Sequence, residues 1–255
     1  MSLLVPSPWS AFQEALARLG LSPSTRQEEQ LREYAGMLLE WGRALDLTAA
    51  SSEEEVLFLH LLDSLLALPL LQEHGGQRLL DVGSGAGLPG VPLAIFFPER
   101  HWTLLEASRK KALFLERVSR RLRLEQVQVL PERAEVLAHR PEHREGYEGV
   151  LARGLAPLAT LAELTLPFAR LGGWVLAYKG PRWRQEWEEA RPAFTLLGGG
   201  WATLREETLP RFHRHRALLL FRKVAPTPSR YPRRPGLPAK RPLTSAKVDT
   251  AGGGG

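Results

Sequence analysis

Two hydrophobic periodicities divide the chain. From about Pro8 to Glu73 the apolar positions fall three and four apart, as in Leu31, Tyr34, Leu38, Trp41 and Leu45, the spacing that lines one face of an α-helix. Ser51 and Ser52 stand before "EEEVLFLHLLDSLLAL", a capping hydroxyl followed by acids in the first turn and a long apolar run, which predicts a helix buried around much of its circumference. After Gly75 and Gly76 the pattern shortens to "RLLDVG", "WTLLEA", "VQVLPE", "GVLARG" and "WVLAYKG", alternating with helical stretches such as "SRKKALFLERVSRRL", "APLATLAELTLPFARL" and about Trp183 to Leu197. Strands alternating with helices predict a mostly parallel sheet covered on both faces. "ATLREETL" and "HRALLLFRKV" predict a closing strand pair with an antiparallel edge.

From about Pro226 the periodicity stops. "VAPTPSRYPRRPGLPAKRPL" is rich in Pro, Arg and Lys and predicts an extended, polyproline-like arm that builds no core; the final "AGGGG" predicts a disordered end. The expected organisation is a helical extension over 1–75, an α/β domain over 76–225 and a basic tail over 226–255.

Composition sharpens this picture in three ways. The chain has 255 residues, 44% of them hydrophobic, enough for one sizeable core. No run of roughly 18 apolar residues suggests a membrane span, and "MSLLVPSPWSAFQEALARLG" lacks the features of a secretory leader, so a cytoplasmic location is expected. Cysteine is absent, which removes disulfides, thiolate metal sites and a cysteine nucleophile. The formal charge of +6 is concentrated: residues from Arg222 onward carry +7 and the rest −1. A basic tail is expected to grip RNA phosphates through Arg230, Arg233, Arg234, Lys240 and Arg241, with Tyr231 stacking on a base.

"LLDVGSGAGLPG", Leu79 to Gly90, places four glycines after the first strand, where an open α/β sheet binds ligands. Two registers compete. Gly85, Gly87 and Gly90 fit the dinucleotide pattern G-x-G-x-x-G, with Glu106 about twenty residues on where a ribose-binding acid belongs. Alternatively, Asp81, Gly83, Gly85 and Gly87 form an acid-x-G-x-G-x-G pattern. Asp81 favours the second, because a carboxylate repels a pyrophosphate at a helix N-terminus but suits S-adenosyl-L-methionine, which carries an ammonium and a sulfonium. Glu106 then accepts from the ribose hydroxyls, and Ala134 with Glu135 in "ERAEVL" meet the adenine edge.

The acceptor is read from "VLARGLAPL" at the end of the fourth strand. The Asn/Asp-Pro-Pro-aromatic tetrad that serves exocyclic amines is missing, and carbon methylation of a pyrimidine needs the absent cysteine. A ring nitrogen with a free lone pair, such as guanine N7, remains, attacked-upon methyl and nucleophile needing only alignment and electrostatics. Arg153 is the expected catalytic contact, on either the methionine carboxylate or the guanine O6 and N7 face. Lys179 in "AYKG" is a second RNA candidate. His60 and Asp63, three apart, are expected to pair on one helix face. His213 and His215 share a strand face between arginines, and no metal site is expected.

These pieces, with "LDLTAASSEEEVLFLHLLDSL", "DVGSGAGLPGVPLAI", "RAEVL", "ARGLAPL", "YKG" and "YPRRPGLPAKRPL" in order, resemble the RsmG (GidB) family of small-subunit rRNA methyltransferases from about Leu45 to Leu243. The resemblance implies a Rossmann-like class I methyltransferase with a seven-stranded sheet; a monomer is expected. It implies methyl transfer from S-adenosyl-L-methionine to N7 of a guanine in the decoding region of bacterial 16S rRNA. Its cofactor positions fall on Gly83, Leu88, Glu106, Ala107, Ser108, Ala134, Glu135 and Arg153. One departure is Leu59-His60, where many members have Arg-His. A nicotinamide-dependent oxidoreductase and a noncatalytic RNA-binding protein are the alternatives.

Overall fold

The computed structural model describes residues 7–244; the terminal "AGGGG" lies outside them. Its strands are β1 (Arg78–Val82), β2 (His101–Leu105), β3 (Val127–Leu130), β4 (Tyr147–Arg153), β5 (Ala169–Lys179), β6 (Gly199–Leu209) and β7 (Arg214–Lys223). They form one seven-stranded sheet in the order β3-β2-β1-β4-β5-β7-β6. Strands β1 to β5 pair in parallel, and β7 runs antiparallel to both of its neighbours. The expected α/β class holds, with the chain reversal confined to one edge. Consecutive apolar residues in β1, β4 and β5 are buried because helices cover both faces of the sheet.

The helices are α1 (Pro8–Arg18), α2 (Thr25–Trp41), α3 (Glu53–Glu55), α4 (Asp63–Leu65), α5 (Leu68–His74), α6 (Gly90–Phe96), α7 (Arg109–Arg121), α8 (Ala134–Leu137), α9 (Leu158–Thr165), α10 (Trp183–Leu196) and α11 (Leu237–Lys240). Between α3 and α4 the chain winds as a π-helix over Val56–Leu62. Ser52 caps this run, its side chain accepting from the Glu55 N–H. A reciprocal box between Ser24 and Gln27 starts α2, satisfying two otherwise orphaned N–H groups. The helical extension is not a separate body: Phe12, Leu31, Tyr34 and Phe58 share one buried cluster with Leu79, Leu104 and Trp174 of the sheet. The opposite face packs Leu80, Val150, Val175, Phe194 and Phe221.

The expected extended tail is the main correction. Tyr231 and Leu243 are buried in that second cluster, and Thr227 is buried beside them. The cause lies in α9, where Glu163 is fully buried. Arg233 grips it with a planar fork, Nε to Oε1 at 2.9 Å and Nη2 to Oε2 at 2.6 Å, and adds its main-chain N–H at 2.7 Å. Arg144 donates to the carbonyls of Thr227 and Tyr231, each at 2.8 Å. Lys223, fully buried at the end of β7, donates to Leu166 O at 2.9 Å and pairs with Glu145 at 3.1 Å. Burial pushes its pKa down to about 8. Composition marks the arm as polar, but one of its cations, Arg233, neutralises an acid inside the domain.

Removing one member of a buried pair strands the other charge, a loss of about 3–5 kcal/mol. Arg233→Ala is therefore expected to lower unfolding stability by that amount in urea denaturation, whereas Arg234→Ala on the exposed side of the arm changes it by less than about 0.5 kcal/mol. Equal, small effects of the two substitutions contradict this packing.

Candidate active site

The glycine loop leaves β1 and enters α6. Gly83, Gly85 and Gly87 all have positive φ, a region that suits glycine. At Gly87 the constraint is also spatial, since a Cβ would stand 2.7 Å from Val91 Cγ2 and 3.0 Å from Tyr34 Oη. At Gly85 a Cβ would meet only Gly83 O at 3.8 Å, so this glycine presents bare backbone to open space. Tyr34 of α2 props the loop from beneath, its Oη donating to Ala86 O at 2.6 Å.

Two acids fix the loop's ends. Glu106, just after β2, accepts from Gly85 N–H through Oε2 and from Ser108 N–H through Oε1, each at 2.8 Å. Asp81 is fully buried and accepts from Gly90 N–H at 3.0 Å. It lines no cleft among the described residues; it acts on the ligand site through the loop it braces. Its Oδ1 is buried without a hydrogen-bond partner, and burial pushes its pKa up to about 7. Because Asp81 occupies the Gly90 N–H, the first turn of α6 is closed to a pyrophosphate, which disposes of the Gly85-Gly87-Gly90 dinucleotide register.

Two clefts open at the carboxyl ends of the parallel strands. The first, of about 180 Å³, is lined by Gly83, Ala107, Ala134 and Glu135, together with Pro238 and Ala239 of the arm. The second, of about 450 Å³, is lined by Asp63, Arg153, Tyr178, Lys179, Arg182 and Arg216. The segment after β4 divides them: Gly154 faces the second cleft, and Leu155 and Ala156 face the first. Lys179 Nζ donates to Ala156 O at 3.0 Å and pairs with Glu186 at 2.5 Å, fixing the divider from the side of the second cleft.

In the second cleft Asp63 is buried between two arginines, 3.1 Å from Arg153 Nη2 and 2.8 Å from Arg216 Nε. Arg153 also donates to Leu59 O at 2.7 Å, His60 O at 3.1 Å and Ser64 Oγ at 2.9 Å. Carbonyls of the π-helical stretch thus serve a guanidinium, a use that fits the occurrence of π-bulges at functional sites. The expected His60–Asp63 pair is not formed, because Arg153 takes the carboxylate. His60 turns instead to Thr48 Oγ1 and, through Nδ1, to Arg153 Nη2 at 3.3 Å. Burial and the adjacent Arg153 lower its pKa to about 4, so the ring is neutral and Nε2 donates to Thr48. Tyr178 Oη donates to Ser64 O at 2.7 Å. Leu59 is buried and contributes only its carbonyl.

The structure thus gathers Gly83, Gly85, Leu88, Glu106, Ala107, Ser108, Ala134 and Glu135 about the loop and first cleft, and Arg153 with Lys179 about the second. It corrects two RNA assignments. Tyr231 is buried and has no free face for a base, and Arg233 is committed to Glu163. Arg230, Arg234, Lys240 and Arg241 are exposed. His213 precedes β7 instead of lying on it, and His215 pairs with Glu206 at 3.2 Å; no group able to hold a metal ion occurs among the described residues. No helix there is long and apolar enough to cross a membrane. Sequence reasoning missed Tyr34, Tyr178, Arg182, Arg216 and the arm's share of the first cleft. The one available signal was Asp63, an acid inside an apolar run.

Between the ordinary aspartate pKa near 4 and the value of about 7 for Asp81, folding takes up a proton. Stability of the ligand-free protein should therefore fall as pH rises through that window, by at most about 1.4 kcal/mol per pH unit from this group. Asp81→Asn keeps an acceptor for Gly90 N–H and is expected to remove that slope in chemical denaturation; parallel pH profiles for the two proteins contradict the assignment.

Comparison with known proteins agrees with this arrangement. The family model described as GidB, rRNA small subunit methyltransferase G, matches residues 27–214. Ribosomal RNA small subunit methyltransferase G of Pelotomaculum thermopropionicum is 42% identical over 232 residues, covering 91% of this chain and 97% of the relative. Its counterpart in Roseiflexus castenholzii is 44% identical over 224 residues, covering 88% and 95%. Among solved structures, an O-methyltransferase from Bacillus cereus in complex with SAH superposes with a TM-score of 0.54 at 17% identity, covering 84% of this chain and 98% of that one. A putative O-methyltransferase from Klebsiella pneumoniae gives 0.54 at 14% identity, covering 85% and 98%; both share the fold. The glycine loop, the divided clefts and the extent of these matches lead to one conclusion: the chain belongs to the GidB family, rRNA small subunit methyltransferase G.

Proposed function

We propose that this chain methylates N7 of a guanine in the decoding region of 16S rRNA, using S-adenosyl-L-methionine and working as a monomer in the cytoplasm. The observation that carries this reading is the pair of clefts on either side of Gly154–Ala156, both lined by a single chain. One side offers bare backbone and carboxylates, and the other offers cations around a space large enough for a base.

The loop residues fit the donor. The open space over Gly85 admits a ligand against the main chain, and Asp81 braces that loop from beneath through the Gly90 N–H. Glu106 stands at the tip of β2, where its carboxylate can also accept from a ribose. When bound, S-adenosyl-L-methionine supplies an electrophilic methyl group. Guanine N7 attacks with a lone pair already free, so no residue has to remove a proton, and catalysis reduces to alignment and charge. Arg153, immobilised by Asp63 and the π-helical carbonyls, presents a fixed positive edge to the cleft, and Lys179 and Arg182 extend it for the O6 face or a flanking phosphate. The target base must leave its stack to enter. Arg230, Arg234, Lys240 and Arg241 serve as phosphate contacts on the outside of the arm.

Purified protein should label 16S rRNA or small-subunit particles from a methyl-tritiated donor, and borohydride followed by aniline should then cut the RNA at one guanine. Label without that cut contradicts transfer to N7. Arg230→Ala with Arg234→Ala should weaken RNA binding and reduce the salt slope by roughly 0.7 per lost contact; an unchanged slope removes these two cations from the interface.

A further inference from the structure

The first cleft has a wall that no part of the α/β domain supplies. Pro238 and Ala239, from the short helix α11 near the chain end, line it together with Ala107 and Ala134. The lining is mostly apolar, which suits a planar aromatic ring. Its polar side chains are Glu132, Arg133, Thr160 and Glu135, of which Glu135 is 7% exposed. Glu135 Oε1 accepts from Gly236 N–H at 2.8 Å and from Arg133 Nη2 at 3.1 Å, while Oε2 has no hydrogen-bond partner among the described residues. Gly236 has φ +80°, the left-handed conformation that turns its N–H toward Glu135. A mostly apolar slot with a carboxylate oxygen of Glu135 to spare matches a purine that presents an exocyclic amine.

We propose that the C-terminal arm forms part of the adenine wall of the donor site, so that donor affinity depends on Pro238 and Ala239; this rests on the methyl-donor reading above. The arm's anchorage makes the wall rigid. Thr160 Oγ1 donates to Pro238 O at 3.0 Å, Arg233 Nη2 donates to Arg241 O at 2.7 Å while gripping Glu163, and His139 Nε2 lies 2.7 Å from Pro232 O. These contacts bracket Gly236–Ala239 on both sides. Glu135, set by Gly236, is a positioning and recognition group for the base, with no part in the transfer itself. A segment that composition assigns to RNA therefore has two faces: outward cations for phosphate, and an inward wall for the donor.

Calorimetric titration with S-adenosylhomocysteine tests this. Ala239 is exposed to the cleft, and Ala239→Trp fills the slot from the surface without disturbing the Arg233–Glu163 pair. Its dissociation constant is expected to rise at least about tenfold, with Ser229→Trp on the exposed part of the arm unchanged. Hydrogen exchange on the unmodified protein should show S-adenosylhomocysteine slowing amides of 236–241 together with those of 83–90. Should Ala239→Trp bind within about twofold of the wild type, or the arm amides stay unprotected while the loop is protected, the arm is not part of the site. If Ala239→Trp fails to fold, the exchange experiment decides alone. Absence of S-adenosylhomocysteine binding to the wild type overturns the donor reading itself, an outcome distinct from binding that ignores the arm.

Discussion

A buried carboxylate between two arginines organises the larger of the two clefts. Asp63 comes from the helical extension, Arg153 from the end of β4 and Arg216 from β7. Three segments distant in sequence meet on one charge with almost no solvent to screen it. Such an ion set is stable only while each member is present, since a lone buried charge is far more unfavourable than the matched group. Arg153 is held further by the carbonyls of Leu59 and His60 in the π-helical stretch. The helix geometry, the strand end and the cleft wall are thus parts of one electrostatic solution.

The same device recurs elsewhere. Glu163 draws the C-terminal arm onto α9 through Arg233, and Asp81 ties the end of the glycine loop to the start of α6. Tyr34 adds a neutral version, joining the helical extension to Ala86 in the loop. Each of these buried polar groups ties two segments of the chain together. Segments that look appended in sequence are accordingly built into the two clefts.

The strand and helix alternation, the sheet's parallel character, the glycine loop and the acid after β2 were legible in the sequence because each depends on local periodicity or short spacing. The long-range charge pairs were not. Nothing near Glu163 marks it as awaiting Arg233, seventy residues away, so the arm reads as solvated when its Tyr231 is in the core. His60 and Asp63 share a helix face, and that local geometry misleads because Arg153, from another element, outcompetes the neutral imidazole for the carboxylate. Gly236, Pro238 and Ala239 carry no chemical signal at all, and only folding brings them to Glu135.

The central claim is that donor and acceptor occupy opposite sides of Gly154–Ala156. A crystal structure of the protein with S-adenosylhomocysteine and guanosine monophosphate tests it most directly. The expected result places the sulfur-bearing nucleoside against Gly83 and Gly85 with its base toward Glu135, and the guanine in the cleft of Asp63, Arg153 and Lys179 with N7 directed at the sulfur. Guanine bound elsewhere, or both molecules on the same side of the divider, contradicts it.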